Sequence, residues 1–211
     1  MPDTNGHSET STTRRTARGL QTRARILESA QTLFYVKGVH ATTLDDIRMA
    51  SSTSKSQLYN HFPDKLALIH AVIDVTSQFV LNREKQRLRS VRTLAGLRRW
   101  RDALVQASAL QDGSYGCALG GMSIELSDTD EQSRKALSTT FEAWEQLLAD
   151  TLRRLREIGV LSQTADPQHL GVGLLAALQG GYLLAQSAHN SGPMAIALDM
   201  ALAHIESFAP R

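Results

Sequence analysis

The sequence contains a single cysteine, Cys117, so it cannot form an internal disulfide and cannot build a structural zinc site from several thiolates. A lone cysteine is typical of a reducing compartment, and we therefore expect a cytoplasmic protein. No apolar segment approaches the length of a membrane span, and none follows the N-terminal charges as in a secretory signal. A soluble protein without a membrane partner is expected.

Motifs of the common enzyme classes are missing too. There is no Gly-x-Ser-x-Gly turn, no phosphate-binding P-loop and no His-Glu-x-x-His zinc motif. The seven histidines include no close pair at the spacing with which a helix binds a metal. We therefore expect neither an enzyme nor a protein that carries a cofactor or a metal.

Strand signals are absent, and helical patterns fill the chain from Thr22 onward, so the fold class is predicted to be all-α. The first helix ends at Gly38, since glycine readily adopts the left-handed conformation that ends a helix. Another helix begins at Pro63 and runs to Ile73. The later helices are predicted over residues 74–90, 93–110, 116–127, 129–158, 166–190 and 193–208, with Asp128 and Glu131 capping the fourth of these.

Two helix starts lie unusually close together between these elements. Thr43 with Asp46, and Ser54 with Gln57, each have the spacing of a capping box, in which two side chains bond the free N–H groups of a helix start. Two short helices joined by so tight a turn must cross at a large angle, which is typical of a helix-turn-helix.

The second helix of such a unit enters the major groove of DNA and presents its first side chains to base edges. Here that face contains no acidic residue, so it can accept an anionic partner. The amides of Gln57 and Asn60 match adenine, and Lys55 can reach guanine or phosphate. The predicted contact residues of this helix are Ser54, Lys55, Ser56, Gln57, Tyr59, Asn60 and His61.

The N-terminal segment is predicted to be a disordered basic arm over residues 1–19, because it is rich in Ser, Thr and Arg and has little to bury. Such an arm can enter a minor groove or lie along phosphates, adding affinity rather than sequence choice. The alternative is a solvated charge run. The arginines of residues 11–27, a stretch without acids, are Arg14, Arg15, Arg18, Arg23 and Arg25.

Residues 22–69 resemble the DNA-binding domain of the TetR family of bacterial repressors, above all at residues 42–47 and 54–65 with their Leu-Tyr-x-His-Phe-x-x-Lys string. The resemblance implies phosphate contacts from Thr43 and Lys65, and base or phosphate contacts from the second helix. Two positions depart from the family pattern: residues 51–53 replace its small-Gly-hydrophobic turn, and Ser56 replaces the usual glycine. These departures concern the operator sequence rather than the fold.

The remainder, notably residues 116–128 with Phe141 and Trp144, resembles the regulatory domain of a TetR branch related to repressors of multidrug efflux. Some members of that branch respond to electrophiles. The expected organisation is thus the arm, a three-helix helix-turn-helix domain over 20–66, and a larger helical domain over 67–211 that binds a ligand and dimerises.

Three further predictions concern this larger domain. An apolar ligand pocket is expected, and its predicted lining residues are Phe79, Trp100, Tyr115, Cys117, Met122 and Trp144. At helical spacing these side chains can equally belong to the hydrophobic core. Cys117 is either a sensor, made reactive by a nearby helix N-terminus, or a small core residue, which is the commoner case.

A four-helix dimer interface is expected from the helices near 129–158 and 166–190, because Gly and Ala permit close approach between subunits or within one.

The predicted function is a homodimeric repressor that binds a palindromic double-stranded DNA operator and releases it when a small-molecule effector binds. The alternative is an architectural DNA-binding protein that ignores ligands. The long segment behind the helix-turn-helix disfavours this alternative, because DNA binding and dimerisation alone need far less chain.

Overall fold

The computed structural model describes residues 17–110 and 116–210 of the 211-residue chain. Across these residues the secondary structure is entirely helical, which confirms the predicted all-α class. The helices in chain order are α1 (Ala17–Lys37), α2 (Leu44–Ala50), α3 (Lys55–His61), α4 (Lys65–Leu88), α5 (Leu94–Ala109), α6 (Ala118–Leu126), α7 (Glu131–Glu157), α8 (Pro167–Ala188) and α9 (Gly192–Glu206).

The first three helices form the predicted helix-turn-helix domain around a small apolar core. Ile26 and Phe34 of α1, Ile47 of α2 and Leu58 of α3 are buried in it. Both predicted capping boxes are present, at the starts of α2 and α3. The turn between them places Ser52 at a φ of 51°, a left-handed conformation that disfavours side chains other than glycine.

Three boundaries differ from the prediction. Helix α1 begins at Ala17, inside the segment assigned to the arm. Helix α4 is continuous across the break predicted at residue 74, and its buried Thr76 and Ser77 bond to α1 and α7. The cap of α7 is Asp130 rather than Asp128, with its carboxylate accepting the Ser133 N–H at 2.8 Å.

Helices α4 and α7 run side by side in the same direction through the larger domain. His70 bonds Asp130 at 2.8 Å near their starts, and Thr140 donates to Ser77 at 2.9 Å in the middle. Near the far end the Arg154 guanidinium donates to the Leu88 carbonyl at 2.9 Å. This register places Trp144 level with residues 79–83 of α4.

Helix α8 packs against α7 and α9 at two glycines. A Cβ on Gly171 would lie 3.0 Å from the Ala149 backbone, and a Cβ on Gly181 would lie 3.0 Å from Met194 Cα. These glycines therefore serve contacts within the subunit. By length and composition α8 is apolar enough to cross a membrane, which corrects the expectation that no segment approaches the length of a span; core helices of soluble proteins meet the same criterion.

Candidate DNA-binding surface and ligand cavity

Helix α3 has one exposed polar face, and its opposite side is held against the domain core by a buried leucine. Leu58 is 1% exposed and fixes the helix against α1. Lys55, Tyr59 and Asn60 are exposed, as are Ser54, Ser56 and Gln57, whereas His61 is half-buried at the helix end. The structure thus brings the predicted contact residues of this helix onto one small surface.

The capping box restricts what Gln57 can do on this surface. Its side-chain oxygen accepts the Ser54 N–H at 2.9 Å, while the Ser54 hydroxyl accepts the Gln57 N–H at 3.2 Å. A two-bond contact with adenine requires both the oxygen and the nitrogen of the amide. Gln57 can make that contact only by giving up its cap, whereas no such bond holds Asn60 in the described part of the chain.

The residues predicted to bind phosphate surround α3 with differing exposure. Thr43 is exposed at the start of α2, and Arg18 is exposed in the first turn of α1. The Arg23 guanidinium lies 5.1 Å from the centre of the Phe62 ring. Lys65 is half-buried, donates to the His40 carbonyl at 3.3 Å, and has its pKa lowered by burial. Arg14 and Arg15 lie outside the described residues.

A glutamate of α6 joins the larger domain to the turn between α1 and α2. The Glu125 carboxylate accepts the N–H groups of Val39 at 2.9 Å and His40 at 2.7 Å, a pair of bonds that we call the Glu125 bridge. The Glu125 carbonyl also lies 2.9 Å from His40 Nε2. Gly38 has a φ of +88°, and a Cβ there would approach the carboxylate to 3.0 Å. Glycine is therefore required at this contact.

A cavity of about 520 Å³ lies where α1, α4, α5, α6, α7 and α8 meet. This volume is within the usual range for sites that bind small organic molecules. Of the predicted pocket residues, Phe79, Cys117, Met122 and Trp144 line it. Trp100 does not line this cavity and instead donates its indole N–H to Glu84 at 2.9 Å. Tyr115 lies outside the described residues.

Several polar lining residues were missed by the sequence analysis. Tyr35 and Glu28 line the cavity from α1, a helix that its pattern assigns to DNA binding alone. Arg83 lines it from α4, although its run of basic neighbours suggests a solvated face. Tyr182 lines it from α8. The spacing of apolar residues in α1 could not reveal this role, because the cavity faces a second side of the helix.

The environment of Cys117 differs from that of a reactive thiol. The residue is half-buried at the N-cap of α6 and makes no side-chain capping bond. Burial raises the pKa of its thiol, in spite of the nearby backbone N–H groups of Leu119 and Gly120. The thiol is therefore protonated near neutral pH, which lowers its nucleophilicity.

Within the described residues, no group of three or more His, Cys, Asp or Glu side chains can hold a metal.

Helix α6 spans the distance between the cavity and the DNA-binding domain. Cys117 and Met122 lie at the cavity, and Glu125 lies one turn further along. At the other end the Tyr35 hydroxyl donates to the Gly116 carbonyl at 3.0 Å. The segment from Tyr35 to His40 is thus bonded to α6 near both ends of that helix.

Sequence comparison matches both parts of this architecture. Residues 26–72 match the bacterial regulatory proteins of the tetR family, and residues 93–200 match the C-terminal domain of LmrA/YxaF-like transcriptional regulators. The chain belongs to the TetR family. It is therefore a helix-turn-helix transcriptional regulator, with its DNA-binding domain in the first third and a regulatory domain behind it.

Relatives within the TetR family cover most of the chain. An uncharacterised regulator of Lactococcus lactis is 32% identical over 77% of this chain and 82% of its own. The repressor DhaR of a Mycobacterium species is 25% identical over 82% of this chain and 86% of its own. The crystal structure of a TetR protein from Rhodobacter sphaeroides has a TM-score of 0.80 at 21% identity, over 87% of this chain and 98% of that one.

Proposed function

We propose that this TetR-family protein is a cytoplasmic, homodimeric repressor that binds a palindromic operator and releases it when an effector fills the cavity. The observation that carries the proposal is the Glu125 bridge, because it connects the helix beside the cavity to the turn that supports α2 and α3. A relative, DhaR, is itself named a repressor.

Asn60, Lys55 and Tyr59 are the proposed readers of the operator, since their side chains are exposed and α3 can enter the major groove. Gln57 contributes to base recognition only where it leaves its cap. Thr43, Lys65 and the arginines of α1 and of the preceding arm position the domain on phosphates.

The proposed dimer interface lies on the outer face of α8 and α9. This face carries exposed apolar residues, with Leu183 at 56%, Ile196 at 63% and Met200 at 71%. A Cβ on Gly173 or Gly180 of α8 would meet no described atom within 4 Å, so both positions leave room for the close approach of a second helix. The apolar row of α7 is buried inside the subunit, and we therefore propose α9 rather than the 129–158 helix as the partner of α8 in the interface.

Release follows from displacement of α6. An effector that presses on the residues around Cys117 and Met122 moves the helix, and the Glu125 bridge transmits this movement to Val39 and His40. The two α3 helices of a dimer must lie about one DNA turn apart, about 34 to 36 Å, to bind neighbouring half-sites. A ligand that favours another separation therefore weakens operator binding.

Selection of bound sequences from a random duplex pool at about 0.15 M salt tests this function, because screening at that salt suppresses nonspecific association. A palindromic consensus is expected. The architectural alternative predicts no enriched sequence and no effect of ligands on binding. The cavity of about 520 Å³ favours the regulatory function, since an architectural DNA-binding protein does not need a ligand site.

A further inference from the structure

The cavity has a hydrogen-bond donor that the protein leaves without a partner. The hydroxyl of Tyr182 lines it and makes no hydrogen bond within the described residues. Burial raises the pKa of this phenol above its usual value, so the hydroxyl stays protonated and remains a donor near neutral pH.

The residues next to the cavity also carry an excess positive charge. Glu84 is 0% exposed, and one of its oxygens accepts from Arg83 Nε at 2.9 Å and from Arg87 Nη1 at 3.0 Å. The other oxygen accepts the indole N–H of Trp100 at 2.9 Å. One carboxylate therefore balances two guanidinium groups, and one positive charge is left over.

Only one of these two arginines lines the cavity. Arg83 does, and Arg87 does not. Arg83 uses its Nε for Glu84, and no hydrogen bond engages its terminal nitrogens in the described part of the chain. Arg83 and Tyr182 both belong to the lining of this cavity. Glu28, the acidic lining residue, is exposed and comes from α1.

We propose that the effector is an organic acid whose carboxylate binds Arg83 and Tyr182 and whose apolar body packs against Phe79 and Met122. This inference rests on the proposed function in calling the molecule an effector. A carboxylate accepts several hydrogen bonds and matches the guanidinium geometry. A hydrocarbon would leave the donors unpartnered, and an amine would place a second cation beside Arg83.

Isothermal titration calorimetry of the full-length protein without DNA tests the proposal with three probes: biphenyl-4-carboxylate, biphenyl-4-carboxamide and biphenyl-4-methanol. The carboxylate is expected to bind at least about tenfold more tightly than either neutral probe, because hydrogen bonds to charged groups are the stronger ones. Tyr182→Phe is expected to weaken carboxylate binding about threefold to tenfold.

Arg83→Gln and Arg87→Gln form a matched pair, since both remove a cation from Glu84 but only Arg83 lines the cavity. Arg83→Gln is expected to abolish the preference for the carboxylate, and Arg87→Gln to keep it. Arg83→Lys, which retains the charge, is expected to keep part of the preference and serves if the Gln variant does not fold.

Equal affinities for the three probes would overturn the proposal, as would no detectable binding of the carboxylate or an equal loss in both glutamine variants. Selection of bound DNA sequences uses no ligand, so a failure of the proposed DNA binding is distinguished from a failure of this assignment.

Discussion

Replacing Glu125 by alanine should separate the cavity from the DNA-binding domain. Glu125 does not line the cavity and lies on α6, away from the exposed face of α3. Its carboxylate instead holds Val39 and His40 through two N–H bonds. The substitution is therefore expected to leave ligand binding intact while it removes the connection through which ligand binding alters the position of α3.

The cost in stability can be worked from the two bonds, 2.9 Å and 2.7 Å long. Hydrogen bonds to charged groups contribute about 1.5 to 3 kcal/mol each when shielded from water. The bond to His40 is exposed and the bond to Val39 is only partly buried, so we expect about 2 kcal/mol for the pair. For a protein of this size that corresponds to a fall in Tm of about 4 to 8 °C.

The assay is fluorescence anisotropy of a labelled operator duplex, with and without a ligand that calorimetry shows to bind in the cavity. The quantity measured is the ratio of the two operator Kd values. A ratio of about 5 to 150 is typical of allosteric coupling and is expected for the wild type. Glu125→Ala should bring the ratio close to one, and Glu125→Gln, which keeps an oxygen acceptor, should give an intermediate value.

Glu142→Ala, which removes a glutamate of α7 far from the bridge, serves as the matched control and should keep the wild-type ratio. The reasoning is refuted if Glu125→Ala folds, binds the ligand and still shows the wild-type ratio of operator affinities. An Ala variant that loses ligand binding itself would also refute the separation of the two sites.

Individual contacts give four further predictions. Asn60→Ala should relax base preference at one position of each half-site by about 1 to 3 kcal/mol, which sequence selection measures; an unchanged consensus would contradict its assigned role. Met200→Glu should convert dimer to monomer in sedimentation velocity, whereas a persistent dimer would exclude the α8 and α9 face. Ser133 and His70 hold the pKa of Asp130 at about 2, so its contribution to stability is present above its usual pKa and is lost as pH falls from about 4 towards 2. Asp130→Asn, which keeps an acceptor at the cap, should flatten the decline of Tm in that window, and an equally steep decline would argue against the assignment. Ser52→Gly should raise the free energy of unfolding by about 1 kcal/mol in urea denaturation, because it relieves a left-handed serine; a destabilised variant would show that the serine side chain matters more than the backbone.

The parts of the fold that could be predicted are those with local signals. The capping boxes at Thr43 and Ser54 are read directly from neighbouring residues, and both are present. The break predicted within α4 was wrong, since one helix runs from Lys65 to Leu88 with the polar Thr76 and Ser77 buried in it. Their partners come from α1 and α7, and no local pattern announces them.

The cavity and the Glu125 bridge show a second limit. Phe79 and Trp144 can be chosen as lining residues because large apolar side chains are expected at pockets. Arg83 and Tyr35 line the cavity only because α1 and α4 pack around it, and the sequence does not reveal that packing. The bridge joins a carboxylate to backbone N–H groups 85 and 86 residues away. Backbone partners leave no trace in residue identity, so a sequence alone cannot predict such a contact.

The most direct test of ligand-controlled DNA binding is a titration of the selected palindromic duplex with wild-type protein, repeated with a cavity ligand at saturation. Two chains should bind each duplex, and the ligand should raise the Kd for the operator by at least about fivefold. An operator Kd that stays the same while calorimetry shows the cavity to be filled would contradict regulation through this cavity.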